Sequence, residues 1–380
     1  MPRSVVRNAG RAGAAGALAL AAAILPCRGS DEETPWYRQI AFNAFLSTSY
    51  AYNFNRPESR TNAYRVFDFD DDSFKLDVAE LVVQKAVAEP RDVGFRVDLT
   101  VGSSIPPVVA AADPGNAGNG PQYWDVQQAF GSWVAPVGSG LRLDFGKFVT
   151  PFGYELIDGY DGYNDDATRS FLFGYAVPFT HTGVRASYAV NGTVSATFML
   201  VNGWDDAKDN NSGKTVGAQV TLTPCDTLTI YVDGMIGPER DGDNSDKRTV
   251  LEADVTWKTT ERVTLGLNAD WGTEANVPLS PTLSRDASWS GVALYAKLAV
   301  TPRFALAARV EEFADLQGWR TGTAQKLREA TLTPELRVNS HLVFRGDLRT
   351  DWSSVPAFET ADGGGARSQT TVLVNALVVF

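Results

Sequence analysis

The sequence predicts an all-β protein, a transmembrane antiparallel up-and-down β-barrel of about sixteen strands. Apolar and polar residues alternate along many short segments, which indicates strands with one apolar and one polar face. These segments are roughly 9 to 11 residues long, the length of a tilted strand that crosses a membrane. Short and long connections alternate between them, a spacing typical of barrels and not of soluble sandwiches.

The N-terminus predicts a secretory signal peptide at 1–29, followed by a single barrel domain at 30–380. The apolar run "AGAAGALALAAAILP" is preceded by Arg3, Arg7 and Arg11. Small residues before Ser30 fit a cleavage site. A retained signal anchor is the alternative, opposed by the shortness of the apolar run. A lipoprotein reading through Cys27 is opposed by Pro26, which lies where a small residue is expected. After residue 29 no run of about 18 apolar residues occurs, which excludes transmembrane helices.

Composition narrows the functional classes. The predicted signal peptide holds four arginines and no acids, so the net charge of −11 becomes −15 without it. An acidic chain of this kind suits neither nucleic acid nor an anionic membrane surface. Cys225 is then the single cysteine left in the mature chain, which excludes an intramolecular disulfide.

The strands are predicted from period-two alternation. In "VTLGLNADW" the apolar residues from Val263 to Trp271 alternate with Thr264, Asn268 and Asp270. The sixteen segments are expected to begin near Ile40, Phe74, Gly94, Val126, Leu141, His181, Val194, Val216, Leu228, Thr249, Val263, Ser290, Phe304, Leu327, Leu342 and Thr371.

The connections predict the orientation of the barrel. Short connections such as "EPRD", "NG", "TPCDT" and "VNSH" carry turn signals and are expected on the periplasmic side. The long polar connections are expected outside the cell, at 53–72, 103–124, 150–180, 203–214, 236–247, 272–288, 314–325 and 352–369.

Aromatic residues mark the expected membrane boundaries. Seven tryptophans fall at or beside predicted strand ends, where lipid headgroups would lie: Trp124, Trp133, Trp204, Trp257, Trp271, Trp289 and Trp352. Bulky residues that cap strands in any sheet are the alternative explanation. The chain ends in "TTVLVNALVVF", an alternating strand with Phe380 at its end. We interpret Phe380 as an assembly signal, similar to the one read by the barrel assembly machinery.

Two stretches carry a family resemblance: "QQAFGSWVAPVGSGLRLDFGKFVTPFGYE" and "PFTHTGVRASYAVNGTVSATFMLVNGWDD". They resemble the OmpL-like beta-barrel porin-2 family, most clearly from Gln127 to Thr223. The resemblance implies a channel for small polar solutes or ions in the outer membrane of a Gram-negative-type bacterium. Outer-membrane lipid and the assembly machinery are the expected partners, nucleic acid is not, and the barrel is expected to be a monomer or a trimer.

The predicted inner face is rich in charge, which favours a water-filled lumen because a dry interior would require nearly every charge to be paired. A plugged lumen with salt-bridge ladders is the alternative. The predicted lumen-lining charges are Arg96, Asp98, Arg142, Asp144, Arg185, Asp233, Glu252, Asp254, Asp270, Arg309, Glu311, Glu335, Arg337, Arg345, Asp347, Arg349 and Asp351.

The connection 150–180 is the longest and the third on its side. In general porins the third loop folds into the barrel, and the resemblance implies that placement here. Pro151 ends strand pairing, and glycines allow sharp bends. Aromatic residues are expected to pack on the inner wall: Tyr154, Tyr160, Tyr163, Phe171 and Phe173. The candidate constriction residues, with acids facing the water path and favouring cations, are Asp158, Asp161, Asp165, Asp166 and Arg169. A solvated acidic flap outside the barrel is the alternative.

Other functional classes find little support. The two histidines, His181 and His341, are expected at opposite rims, and no nucleophile motif accompanies them, so no enzyme is predicted. The acidic stretches "DGYDGYNDD" and "FDFDDD" match no complete calcium loop and are interpreted as solvated loops. No cofactor or metal motif is found. A structural or adhesive surface barrel without an open channel is the alternative function.

Overall fold

A computed structural model describes residues 35–105, 124–280 and 282–380, so the predicted signal peptide lies outside the described residues. Sixteen strands form one closed barrel. Its strands are β1 (Ala41–Asn53), β2 (Ser73–Lys85), β3 (Val93–Val101), β4 (Trp124–Ala135), β5 (Leu141–Val149), β6 (Thr180–Ala189), β7 (Val194–Val201), β8 (Thr215–Cys225), β9 (Leu228–Gly237), β10 (Arg248–Lys258), β11 (Val263–Ser280), β12 (Leu283–Ala299), β13 (Phe304–Asp315), β14 (Gln325–Arg337), β15 (Leu342–Ser353) and β18 (Ser368–Val379).

Every strand pairs antiparallel with its neighbours around the ring, and β1 closes on β18 with Phe45 opposite Val379. The main chains of Ala44 and Phe380 exchange two hydrogen bonds at this seam, of 3.0 and 2.9 Å. Closure leaves no unpaired sheet edge, as a lipid environment requires. Outside the barrel wall lie a 3₁₀ turn at Trp36–Gln39 and a two-strand ladder of β16 (Phe358–Glu359) and β17 (Gly365–Ala366). Among the described residues no helix is long and apolar enough to cross a membrane.

The alternation along each strand sorts residues between lipid and lumen. On β10, Leu251 and Trp257 are 54% and 49% exposed, whereas Glu252 and Asp254 are 2% and 1% exposed. The apolar face therefore points outward and the charged face inward, the reverse of a soluble protein. The prediction of an all-β up-and-down barrel of about sixteen strands is confirmed.

Predicted and observed strand starts agree within three residues, except at β12. The predicted loop 272–288 is wrong, because β11 continues to Ser280 and β12 already begins at Leu283. The register shifts between Glu274 and Val277, where Asn276 adopts a φ of 49°. A bulge of this kind interrupts the period-two pattern, so two extended strands resemble a loop in the sequence.

Two tryptophans do not lie at the lipid boundary. Trp204 and Trp289 are 8% and 1% exposed, and their rings meet edge to face at 6.2 Å on the inside of the barrel. Trp289 lies opposite Gly272 on β11, where an added Cβ would come within 2.2 Å of the indole ring. Because β12 begins at Leu283, Trp289 lies within the strand rather than at its end, and its side chain is on the inner face of the barrel. The other five predicted boundary tryptophans are exposed: Trp124, Trp133, Trp257, Trp271 and Trp352.

Candidate functional site in the barrel lumen

The connection between β5 and β6, residues 150–179 and called loop 3 from here on, lies inside the barrel. Its side chains Phe152, Phe171 and Phe173 are at most 2% exposed and belong to the main hydrophobic cluster. Tyr154 stacks on Tyr295 of β12 with 4.0 Å between ring centroids. Tyr160 and Tyr163 pack against a second cluster beside β1 and β18. The five predicted aromatic residues therefore pack on the inner wall.

Glycines allow the close approach of loop 3 to the wall. Gly153 has a φ of 103°, a conformation in which an L side chain is strained. Across from it, a Cβ on Gly266 of β11 would lie 2.2 Å from the hydroxyl of Tyr154. A side chain at either position would push the start of loop 3 away from the wall.

Arginines of β13 and β15 bind loop 3 from one side, and we call Arg309, Arg345 and Arg349 the arginine wall. Arg309 Nη1 lies 2.6 Å from Glu155 Oε1 and donates to the carbonyl of Thr168 at 2.8 Å. Arg345 Nη2 lies 2.9 Å from Asp158 Oδ2. Arg349 Nη1 donates to the main-chain carbonyl of Arg169. These guanidinium groups are at most 2% exposed, so the contacts are shielded from water.

Carboxylates of the wall bind the main chain of loop 3. Glu311 accepts the N–H of Phe171 at 2.6 Å, and Asp347 accepts that of Thr168 at 2.7 Å. On other sides of the barrel, Glu80 accepts the N–H of Tyr160 at 2.6 Å. Glu252 accepts the N–H of Gly153 at 2.8 Å. The loop is thus attached to β2, β10, β13 and β15, and it crosses the lumen.

The four loop aspartates have different surroundings. Asp158 bridges Arg169 at 3.0 Å and Arg345, and Asp166 accepts from Thr333 at 2.7 Å; both are buried. Asp161 pairs with Arg96 at 2.6 Å and Asp165 with Lys297 at 2.7 Å, and these carboxylates keep 43% and 42% exposure. Asp161 and Asp165 are therefore the loop aspartates in contact with water.

Burial raises the pKa of Asp166 to about 7; Arg309 opposes this shift and the Asp347 carboxylate adds to it. Burial also acts on Asp158, but the neighbouring guanidinium groups of Arg169 and Arg345 outweigh it and lower its pKa. The surroundings therefore favour the ionised form of Asp158 and the protonated form of Asp166.

The other predicted lumen charges also face inward, mostly in ion pairs. Arg96 lies 2.8 Å from Asp98, and Asp144 is 2.8 Å from both Arg142 and Arg185. Further pairs join Arg309 to Glu329, Arg349 to Asp351 and Arg337 to Glu335. Arg337 also donates to Tyr163 of loop 3 at 3.0 Å.

Acids gather on β9, β10 and β11, and we call Asp233, Glu252, Asp254 and Asp270 the acidic wall. Carboxylate oxygens of the first three lie within 4.8 Å of one another, the one group in the described residues that could hold a metal ion. Asp270 lies opposite Glu252 in the strand register, and the amide of Asn268 donates to both, at 3.1 and 3.3 Å. Oxygen ligands of this kind are those that Ca²⁺ takes.

The two histidines lie at opposite rims, as predicted. His181 is buried at the start of β6, with Nδ1 3.0 Å from Gly203 O and Nε2 3.1 Å from Thr150 Oγ1. His341 stacks on Phe380 at the short-turn rim, with 4.8 Å between ring centroids. His181 thus joins the start of loop 3 to the next long loop.

Several wall contacts of loop 3 had no signal in the sequence. No sequence pattern distinguishes Glu155, Lys297 and Glu80, because residues of either sign occur throughout the strands and loops. Arg65, next to "FDFDDD", pairs with Asp68 and lies 2.8 Å from Asp351. Only the register and the path of the loop bring these residues together.

A space remains beside loop 3. It has a volume of about 60 Å³ and lies between the loop and β1–β4, and its lining combines apolar side chains with Ser47, Ser49, Asp77, Thr100 and Asp125. A second space of about 70 Å³ lies next to it, beside Arg96 and Asp161. Hydroxyl and carboxylate groups of the wall thus face loop 3 across the first space.

A closed barrel with an apolar exterior, a charged inner face and a loop folded into its interior defines the class of outer-membrane porins. The family model described as "Putative beta-barrel porin-2, OmpL-like" matches residues 39–380, and the chain belongs to that family. The predicted family and the location in the outer membrane are thereby confirmed.

Solved structures share the fold at low sequence identity. The anion-selective porin from Comamonas acidovorans superposes with a TM-score of 0.59 at 13% identity, covering 90% of this chain and 99% of that one. The outer membrane channel DcaP of Acinetobacter baumannii gives 0.60 at 10% identity, with 90% and 97% covered. A trimer form of OmpT of Vibrio cholerae gives 0.54 at 11% identity, with 90% and 99% covered. No curated protein matches the chain.

Proposed function

We propose that small hydrophilic solutes or ions diffuse passively through this porin and that loop 3 narrows its channel. The observation that carries the proposal is the attachment of loop 3 to strands on several sides of the lumen, through Glu80, Glu252, Glu311 and Arg345. A segment held at both sides of a barrel leaves only the space beside it for transport.

The charges beside that space favour cations. Asp161 and Asp165 keep water contact on the loop, and Asp77 and Asp125 line the space between loop 3 and β1–β4. Fixed carboxylates along a narrow aqueous path raise the local concentration of cations and lower that of anions. We therefore propose a weak cation preference, tempered by the arginines and lysines that pair with these acids.

Planar-bilayer recording of the detergent-folded protein in asymmetric KCl tests this function. Anomalous gel migration of the unboiled protein first establishes that the barrel is folded. We expect stepwise currents and a reversal potential on the potassium side. A folded barrel that inserts but never conducts would contradict the proposal.

The alternative function is a structural or adhesive surface barrel without an open channel. The buried aromatic cluster of loop 3, with Phe152, Phe171 and Phe173, favours it because such a cluster resists displacement. Catalysis is not proposed, since His181 and His341 lie at opposite rims. One structural relative is described as a trimer form, and we propose either a monomer or a trimer here.

A further inference from the structure

A larger space lies at the long-loop rim, and we call it the outer vestibule. It has a volume of about 500 Å³, and its lining includes Arg65, Arg248, Arg320, Tyr175, Trp204 and Asp205. These residues come from four loops and from the first residue of β10. Loop 3 itself forms part of this lining, through Gly174, Tyr175, Val177 and Phe179.

The three arginines differ in their partners. Arg65 pairs with Asp68 and Asp351, and Arg248 lies 2.7 Å from Glu274. Arg320 donates from Nε to the carbonyl of Tyr175 at 2.7 Å. Its two Nη groups make no hydrogen bond or ion pair with any residue that the structure describes. Two parallel donors are thus available on a guanidinium that lines a space.

The indole rings of two tryptophans hold the guanidinium of Arg320 in place. Its Cζ lies 4.9 Å from the ring centre of Trp204 and 5.2 Å from that of Trp289. Its main-chain N–H donates to Asp315 at 2.9 Å, which fixes the loop that carries it. A side chain already fixed by stacking loses little conformational entropy when a ligand binds.

A second guanidinium and several carboxylates lie near Arg320. Burial lowers the pKa of Arg320 to about 10 and Arg248 adds to the shift, while Asp205, Glu274 and Asp315 oppose it. Arg248 also stacks on Trp204, with Cζ 4.8 Å from the ring centre. Asp205 accepts the main-chain N–H groups of Phe179 and Thr180, at 2.6 and 2.9 Å. Because Arg248 is paired with Glu274 and Asp205 is bound by two main-chain N–H groups, the Nη groups of Arg320 remain as donors for an oxyanion.

We propose that the outer vestibule binds small organic acids, whose carboxylate accepts hydrogen bonds from both Nη groups of Arg320. The planar fork of arginine matches a carboxylate in two parallel hydrogen bonds. The apolar residues Val66, Phe69 and Phe179, which also line the space, suit an organic body rather than a bare inorganic ion. Binding at this site does not depend on whether the channel conducts.

Titration of the folded, detergent-solubilised protein with benzoate tests the proposal by calorimetry. We expect saturable binding of benzoate to the wild type. In Arg320→Gln, which lacks the charged fork, the affinity should be weaker by about tenfold or more. Arg320→Lys keeps the charge as a single point and should fall between the two. Arg240→Gln is the matched control, because Arg240 pairs with Asp243 and Asp246 in another long loop and does not line the vestibule.

Two further ligands sharpen the test. Benzamide has the shape of benzoate without its charge, and equal binding of both would overturn the carboxylate assignment. Inorganic phosphate shares the oxyanion chemistry; if phosphate alone bound in an Arg320-dependent way, the organic-acid assignment would be wrong. Unchanged benzoate affinity in both Arg320 variants, or no saturable binding to the wild type, would also overturn the proposal. Gel migration of unboiled samples checks that each variant is folded.

Discussion

The arginine wall and the acidic wall both flank loop 3, but they hold it to different degrees. Arg309, Arg345 and Arg349 each contact the loop, and Glu311 and Asp347 of the same strands bind its main chain. From the acidic wall, Glu252 binds the N–H of Gly153. The β13–β15 side therefore fixes most of loop 3, whereas the acidic wall holds only its start, through the Glu252 contact with Gly153.

Arg309→Gln should have the largest effect, because it breaks the most densely paired contact of the arginine wall. Glu155 would be left buried without a cation, and Glu329 would keep only Arg349, 3.6 Å away, at a cost of about 3–5 kcal/mol. We expect a lower urea midpoint of unfolding and a larger, noisier single-channel conductance. Arg328→Gln is the control, since Arg328 pairs with Glu312 on the exposed outer face and such pairs contribute about 0–1 kcal/mol. Equal effects of the two changes would refute a special role for the arginine wall.

Replacing the two water-contacting loop aspartates should change ion selectivity. A unit charge about 4 Å from an ion contributes about 1 kcal/mol in water, which is about fivefold for one carboxylate, so Asp161→Asn with Asp165→Asn should lower the potassium-to-chloride preference by at least that factor. The measurement is the reversal potential in a KCl gradient at pH 6. Asp166→Asn is the control: this carboxyl is buried against Thr333, and burial raises its pKa, so its loss should matter less. A larger shift from the control would show that the exposure of Asp161 and Asp165 does not govern selectivity.

Gly266→Ala tests the close contact between Tyr154 of loop 3 and the barrel wall at β11. The new Cβ would lie 2.2 Å from the Tyr154 hydroxyl, so the start of the loop must shift, at a cost of about 1–3 kcal/mol. We expect a moderate change in conductance with the barrel still folded. Gly346→Ala places the same methyl group on a strand where the nearest atom is 3.7 Å away, and it should conduct like the wild type. Identical currents from both variants would count against the tight seat of Tyr154.

Deletion of Phe380 should have the smallest effect on the channel, because this residue lies at the short-turn rim, away from loop 3. Its main chain exchanges hydrogen bonds with Ala44 at the barrel seam, and its ring stacks on His341. We expect a lower yield of folded barrel and unchanged conductance of the protein that folds. Normal yield from the deletion would show that the terminal aromatic residue carries no assembly signal.

The barrel was readable from the sequence because period-two alternation records the lipid and lumen faces residue by residue. Cross-strand partners such as Glu252 and Asp270 follow once the strand register is known, but the register cannot be derived from the sequence pattern alone. The bulge at Asn276 hid the extension of β11 and β12, and with it the inward position of Trp289. The contacts of loop 3 depend on the path of an irregular segment, for which no periodic pattern exists.

The position of loop 3 as the constriction is the central claim, and shortening the loop tests it most directly. Replacing 156–170 by a short glycine-serine linker removes Asp158, Asp161, Asp165 and Asp166 but leaves both ends of the loop attached. Single-channel conductance of this variant is compared with that of the wild type, after gel migration establishes that both are folded. The account predicts a severalfold larger conductance and a weaker preference for potassium. Unchanged conductance and selectivity in the shortened barrel would contradict it.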